Sequence, residues 1–177
     1  KTIKGRNVIG LIDNKAKTTV VIGAHYDHLG YGEEGSLHTG EKAIHNGADD
    51  NASGVAMMLY LAKALKSSNF KNNNYIFIAF SGEEKGLWGS NYFVKNSTNL
   101  PLDKMNYMIN MDMVGRMNKD RQLMVSGVGT SPVFTTILDE ENTYKIAVKK
   151  AESGVGPTDH TSFYLENIPV LSFFTGQ

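Results

Sequence analysis

The sequence predicts an α/β domain with a largely parallel central sheet that is covered by helices on both faces. Short apolar runs such as Thr18–Ala24 and Tyr75–Phe80 are β-branched or aromatic and are bounded by polar residues, which is typical of buried strands. Between these two runs, apolar residues recur at helical spacing from Val55 to Leu65. Strands that alternate with helices along a chain form parallel sheets with helices on both sides.

The rest of the chain continues this alternation. Three further strands are predicted at Met105–Met111, Gln122–Ser126 and Tyr144–Val148. Three further helices are predicted at Trp88–Lys95, Pro132–Glu141 and Thr161–Leu165. A final strand is predicted at Pro169–Phe174. The glycine-rich stretch Gly30–Gly40 predicts a long loop, and long loops in small domains often carry function.

Length and composition exclude several classes of protein. The chain has 177 residues, of which 41% are hydrophobic and 20% charged, as expected for one globular domain with its own core. Basic and acidic residues number 18 each, so no net charge favours nucleic acid or an anionic membrane. No apolar run approaches the roughly 18 residues of a membrane span. Because cysteine is absent, any metal must be held by histidine and carboxylates.

Acidic residues and histidines collect next to the predicted strands. They directly follow the first three strands of the core, at His25 and Asp27, at Glu83 and Glu84, and at Asp112. Two further pairs open the first long helix and precede the last strand, at Asp49–Asp50 and Asp159–His160. Ligands of open α/β sheets bind beyond the carboxyl ends of the strands, so we expect these groups to meet in one cleft.

Each group taken alone also fits an ordinary structural role. His25 fits a hydrogen-bonded loop histidine, Asp49–Asp50 a helix cap, and Glu83–Glu84 a solvated turn. Asp112 lies in an apolar context, where a carboxylate is costly unless it is paired or binds a metal. The convergence of one histidine with several carboxylates favours zinc, with manganese or cobalt as alternatives. Two ions bridged by a carboxylate would use all of these groups.

Five motifs carry a resemblance to a known family. They are AHYDH (Ala24–His28), NGADDNASG (Asn46–Gly54), SGEEKGLWGS (Ser81–Ser90), NMDMVG (Asn110–Gly115) and DHTSFY (Asp159–Tyr164). With these motifs in this order, the chain resembles the co-catalytic dizinc aminopeptidases of the bacterial leucyl aminopeptidase type. That family also includes glutamate carboxypeptidase, glutaminyl cyclase and the non-catalytic transferrin-receptor ectodomain. The resemblance implies a three-layer zinc-exopeptidase-like fold with a mixed, mostly parallel central sheet.

The resemblance also implies a metal-ligand set. His25 and Asp112 would hold one metal ion and Glu84 the other, with Asp50 bridging both. A cis peptide would follow the bridging residue, at Asp50–Asn51. From the residues alone, Asp49 and Asp50 are equal candidates for the bridge, and the family pattern selects Asp50. The resemblance assigns no role to His28, His38 and His45, which we expect to be loop histidines.

Two catalytic and two substrate-binding residues follow from the same resemblance. Glu83 would be the general base that takes a proton from the attacking water and later protonates the leaving amine. Asp27 would orient His25 from behind. Asp159 and His160 would line the substrate pocket, although spacing alone would also nominate His160 as a metal ligand.

One departure from the family pattern concerns the end of the sequence. In the family, a fifth ligand is a histidine beyond the final strand, and residues 1–177 contain no such residue. We therefore expect a single metallopeptidase catalytic domain over residues 1–177 that is truncated at its C-terminus, with truncation at the N-terminus as a further alternative. The metal site holding Glu84 is expected to be weak or empty in this chain, and activity correspondingly impaired.

The sequence therefore predicts a zinc-dependent exopeptidase that removes the N-terminal residue of peptides. A glutaminyl cyclase, which is a single-zinc acyl transferase, is one alternative, and a non-catalytic binding domain that keeps the peptidase fold is another. Family habit favours an exported protein. No nucleic-acid partner and no membrane segment are expected, and the sequence indicates no oligomeric state.

Overall fold

The alternating segments form one central sheet of seven strands in the computed structural model, which describes residues 4–176. In chain order, the strands β1 to β7 are Val8–Ile12, Thr18–His25, Asn73–Phe80, Met105–Met111, Gln122–Ser126, Ala147–Ala151 and Val170–Phe174. Their spatial order is β1-β3-β2-β4-β7-β5-β6. Strands β3, β2, β4 and β7 run parallel to one another, whereas β1 and β5 pair antiparallel with β3 and β7. The predicted mixed, mostly parallel sheet is confirmed.

Four α-helices cover the two faces of this sheet. In chain order, helices α1 to α4 are Gly54–Ser67, Trp88–Asn96, Phe134–Glu140 and His160–Tyr164. Alternate residues of β2 face opposite sides, as the pleat of a strand requires. Val21 packs in a core cluster with Phe93 of α2 and Phe163 of α4, and Val20 and Ile22 pack with Met58 of α1 on the other side. The result is the predicted arrangement of three layers.

The sheet order places side by side the three strands that are followed by acidic residues or end in histidine. Strand β2 lies between β3 and β4, and all three end at the same edge of the sheet. His25 pairs in register with Phe80, and Gly23 pairs with Asn110. The residues that follow Phe80 on β3, and those two or more positions after Asn110 on β4, therefore lie beside His25 or just beyond it.

Two observed strands differ from the prediction. Strand β1 was not predicted, because Gly10 interrupts its short apolar run, and on this edge strand Val8, Ile9 and Leu11 are exposed. Strand β6 begins at Ala147 instead of Tyr144. Asn142 causes this shift, since its side chain bonds both the main-chain N–H and the carbonyl of Ile146 and holds the preceding residues in a turn.

The remaining predicted elements agree with the structure to within about two residues at each end. Among residues 4–176, no helix has the length and apolar character needed to cross a membrane.

Candidate metal centre

His25 stands at the carboxyl end of the central strand and is buried, with 1% of its surface exposed. Its Nδ1 donates to the main-chain carbonyl of Asp27 at 3.1 Å, which directs Nε2 into the cleft. Nε2 lies 3.2 Å from Asp50 Oδ1 and 3.3 Å from Asp112 Oδ1. Burial by itself lowers the pKa of His25, but Asp112 and Asp50 outweigh it and raise that pKa to about 11. A divalent cation bound by the same three groups would take the place of this proton.

Asp27 supports the site in a different way from the expected one. Its carboxylate lies 3.9 Å from His25 Nδ1, and the main-chain carbonyl makes the contact instead. The carboxylate accepts two main-chain N–H bonds, from Glu83 at 3.1 Å and from Glu84 at 3.3 Å. Asp27 therefore holds both the imidazole and the loop that carries the two glutamates.

Asp50 takes the central position for which Asp49 was the other candidate. Asp49 Oδ1 accepts the main-chain N–H of Gly115 at 2.8 Å, so this side chain fixes a loop. Asp50 faces His25 on one side and lies 3.9 Å from His28 Nδ1 on the other. Hydrogen bonding from His25 lowers the pKa of Asp50. The peptide bond Asp50–Asn51 is cis, as the resemblance implies.

Asn51 ties the segment of Asp50 to the strand that precedes Asp112. It is buried, donates from its side chain to the carbonyl of Met111, and accepts from the main-chain N–H groups of Gly54 and Met113. Helix α1 begins directly at Gly54, where a Cβ would lie 2.4 Å from both Asn51 Oδ1 and the Met111 carbonyl oxygen. Close approach of these two segments therefore requires glycine at this position.

Glu83 and Glu84 occupy different parts of the cleft although they are adjacent in sequence. Glu83 Oε2 lies 3.9 Å from His25 Nε2, and burial raises the pKa of Glu83 to about 8. Glu84 Oε1 accepts from His28 Nδ1 at 2.8 Å, and burial raises the pKa of Glu84 as well. Glu83 therefore lies towards His25, whereas Glu84 lies towards His28.

His28 differs from its predicted role as a loop histidine. It lies in the cleft against Glu84, with 21% of its side chain exposed. Sequence reasoning missed it because the resemblance offers no role for this position. The available signal was its place three residues after His25, at the carboxyl end of the central strand.

Asp159 and His160 lie in the protein interior and not on its surface. Both are buried, with 0% and 1% of their surfaces exposed, at the start of α4. Neither carboxylate oxygen of Asp159 and neither ring nitrogen of His160 has a hydrogen-bond partner. Burial raises the pKa of Asp159 to about 7 and lowers that of His160 to about 4. His160 is in neither of the metal-binding groups found among residues 4–176.

The donor atoms form two groups that could each hold a metal ion. One group is His25, Asp50 and Asp112, and the other is His28, Asp50 and Glu84. Within each group the ligand atoms lie within 4.8 Å of one another, and Asp50 belongs to both. Imidazole and carboxylate donors suit zinc, and a shared carboxylate is the usual bridge of a two-metal centre. The residues present therefore fit divalent metal ions.

The chain matches the family model described as peptidase family M28 over residues 7–177. This chain belongs to peptidase family M28. Among curated proteins, it is 28% identical to aminopeptidase YwaD of Bacillus subtilis, covering 97% of this chain and 36% of that protein. It is also 28% identical to leucine aminopeptidase 2 of Trichophyton rubrum, covering 96% of this chain and 36% of that protein.

Solved structures show the same fold. BSAP, a zinc aminopeptidase from Bacillus subtilis, superposes with a TM-score of 0.74 at 28% identity, over 96% of this chain and 40% of that one. Porphyromonas gingivalis glutaminyl cyclase superposes with a TM-score of 0.71 at 21% identity, over 96% and 62% of the two chains, and shows the fold alone. This M28 chain spans 36% of the length of the curated relatives named above.

Proposed function

We propose that the chain carries the catalytic centre of a metal-dependent aminopeptidase, with Asp50 bridging two divalent ions. The observation that carries the proposal is the position of Asp50, which faces His25 and Asp112 on one side and Glu84 on the other. Zinc is the proposed metal, because the donor set fits it and the relative BSAP is a zinc aminopeptidase. Bound there, the ions supply Lewis acidity that polarises a carbonyl and lowers the pKa of water.

Glu83 is the proposed general base. Its carboxylate lies next to His25 but belongs to neither group of candidate ligands, so it remains free to exchange protons. A raised pKa brings a carboxyl group closer to the pH at which it can both accept and return a proton. Glu83 would take a proton from the attacking water and deliver it to the amine that leaves.

Asp27 and His25 supply the rigidity that this chemistry needs. Asp27 fixes the two main-chain N–H groups of Glu83 and Glu84, so the base and the neighbouring ligand keep their separation. The hydrogen bond from His25 to the Asp27 carbonyl leaves Nε2 as the ligand atom.

Peptides with a free N-terminus are the proposed substrates, with leucine as the first residue to test, since the relatives include leucine aminopeptidases. A substrate-binding role for Asp159 and His160 stays a prediction. Their burial indicates that a substrate would meet the surface they support before it met these side chains. Export stays a prediction from the family resemblance.

The test compares Glu83→Gln with the unchanged chain and with Glu140→Gln, an exposed change on α3. We expect Glu83→Gln to lose at least about a hundredfold in the release of leucine from a leucyl peptide, the lower end for a general base. Zinc content measured by mass spectrometry should equal that of Glu140→Gln. Equal activity of the two variants would refute Glu83 as the base. Cyclisation of an N-terminal glutaminyl peptide, without release of amino acid, would support glutaminyl cyclase instead.

A further inference from the structure

Asp50 and Asp112 lie on segments that are far apart in the sequence, yet both must face His25 to hold one metal ion. We infer that Asn51 is the positioning residue that sets the separation of these two carboxylates. The inference rests on the proposed metal centre and concerns only the group of His25, Asp50 and Asp112. Asn51 itself belongs to neither of the metal-binding groups among residues 4–176.

The side chain of Asn51 uses both ends of its amide to join the two segments. Its Oδ1 accepts the main-chain N–H of Met113 at 3.2 Å, on the residue directly after Asp112. Its Nδ2 donates to the main-chain carbonyl of Met111 at 3.0 Å, on the residue directly before Asp112. The residue that follows Asp50 therefore holds the backbone on both sides of Asp112.

Burial strengthens this connection. Asn51 is 2% exposed, so water does not compete for its hydrogen bonds. Its Oδ1 also accepts the main-chain N–H of Gly54 at 3.1 Å, at the first residue of α1. Helix α1 therefore anchors the amide that faces the segment of Asp112.

The neighbours of Asn51 bind the same segment further along. Ser53 Oγ accepts the main-chain N–H of Val114 at 2.9 Å. Asp49 Oδ1 accepts the main-chain N–H of Gly115 at 2.8 Å. These three side chains thus bind three successive main-chain N–H groups, and the bridging carboxylate between them faces the cleft.

A purely structural role is the competing explanation, in which the bonds of Asn51 stabilise the fold without affecting a bound metal ion. Asn74 offers a matched comparison because its side chain makes the same kinds of bond. Its Oδ1 accepts the main-chain N–H groups of Asn14 and Ala16, and its Nδ2 donates to the carbonyl of Ala16. Asn74 lies near the start of β3, about 20 Å along the strand from the end that meets the cleft.

The experiment is a zinc titration against a competing chelator, with alanine and aspartate substitutions at Asn51 and at Asn74. The zinc equivalent under study is the one that His25→Ala loses. Asn51→Ala should weaken this equivalent by about 10–100-fold, as expected for a residue that orients ligands, whereas Asn74→Ala should change it by less than about twofold. Asn51→Asp keeps the accepted bonds and loses the donated one, so its affinity should lie between those of the unchanged chain and Asn51→Ala.

Cobalt(II) in place of zinc gives a readout that depends on neither turnover nor stability. Its visible absorption bands depend on the arrangement of the ligands, so they should change in the Asn51 variants and stay unchanged in the Asn74 variants. The midpoint of urea unfolding with chelator should fall for substitutions at both positions, because both remove hydrogen bonds of the folded chain.

Equal zinc affinities and equal cobalt spectra for the Asn51 and Asn74 variants would overturn this inference and leave the proposed metal centre intact. Absence of zinc binding by the unchanged chain would overturn both. If Asn51→Ala does not fold, Asn51→Asp and Asn74→Asp provide the same comparison, since Asn51→Asp retains the bonds to Met113 and Gly54.

Discussion

Replacing Asp27 by asparagine tests how the loop of the two glutamates is held. The carboxylate accepts one main-chain N–H from Glu83 and one from Glu84, at 3.1 and 3.3 Å. Asparagine can accept only one of these bonds and turns an N–H group towards the other donor. A hydrogen bond to a charged group contributes about 1.5–3 kcal/mol, and the side chain is 21% exposed, so water can partly replace the lost bond. We expect a loss of about 2 kcal/mol in the free energy of unfolding.

The assay for this prediction is urea unfolding in the presence of a chelator, followed by circular dichroism. Asp103→Asn is the matched control, because Asp103 is 73% exposed and its substitution should change stability by less than about 0.5 kcal/mol. Zinc affinity of Asp27→Asn should fall by about 10–100-fold, since the loop also carries Glu84. A change in stability no larger than that of the control would refute this account of the loop.

Three further predictions concern the core and the cleft. Met108→Ala should lose about 2–5 kcal/mol of unfolding free energy, because Met108 is 0% exposed, whereas Met124→Ala, at a 42% exposed position, should lose less than about 1 kcal/mol in the same urea titration. His160→Gln should remove a pH dependence of the stability. The pKa of His160 has its ordinary value of 6.5 in the unfolded chain, whereas burial lowers it to about 4 in the folded chain. Protonation of His160 therefore favours the unfolded chain as the pH falls. Between pH 7.5 and 5 the stability of the unchanged chain relative to His160→Gln should drop by about 2 kcal/mol in urea titrations, and an equal gap at both pH values would contradict the assigned burial effect. Gly47→Ala should lose about 1–2 kcal/mol of unfolding free energy in the same urea titration, because the backbone there has φ of 63° and a Cβ would lie 3.0 Å from the Asp50 carbonyl oxygen; an unchanged stability would contradict this.

Much of the fold could be predicted because buried strands and amphipathic helices have characteristic patterns of apolar residues in the sequence. Strands β2 and β4 lie inside the sheet with helices on both faces, so each forms a short, largely apolar run that is typical of a buried strand. The edge strand β1 also has apolar residues, but Gly10 interrupts them and most of them are exposed. Tyr144 belongs to a turn because the Asn142 side chain bonds the backbone, which a count of β-forming residues does not detect.

The candidate site was predictable where chemistry and position coincide. His25, Glu83, Glu84 and Asp112 all follow strands that end at one edge of the sheet, and the structure brings them together there. The contact of His28 with Glu84 depends on the fold of the loop after β2, where the sequence signal was the place of His28 three residues after His25.

The buried pair Asp159 and His160 shows a second limit of sequence reasoning. The family resemblance implies that both line the substrate pocket, and that role stays a prediction. Charged and polar residues are usually exposed, whereas both of these are buried at the start of α4. The packing of α4 against α2, β7 and β4 buries both residues, and the sequence pattern does not reveal this packing.

X-ray diffraction at the zinc absorption edge, from crystals of the zinc-loaded protein, would locate bound metal ions relative to Asp50. A two-metal centre at Asp50 should give two anomalous peaks about 3.5–4 Å apart, on either side of this residue. One peak should lie against His25 and Asp112, and the other against Glu84. A single peak, or two peaks that do not share Asp50, would contradict a co-catalytic two-metal centre.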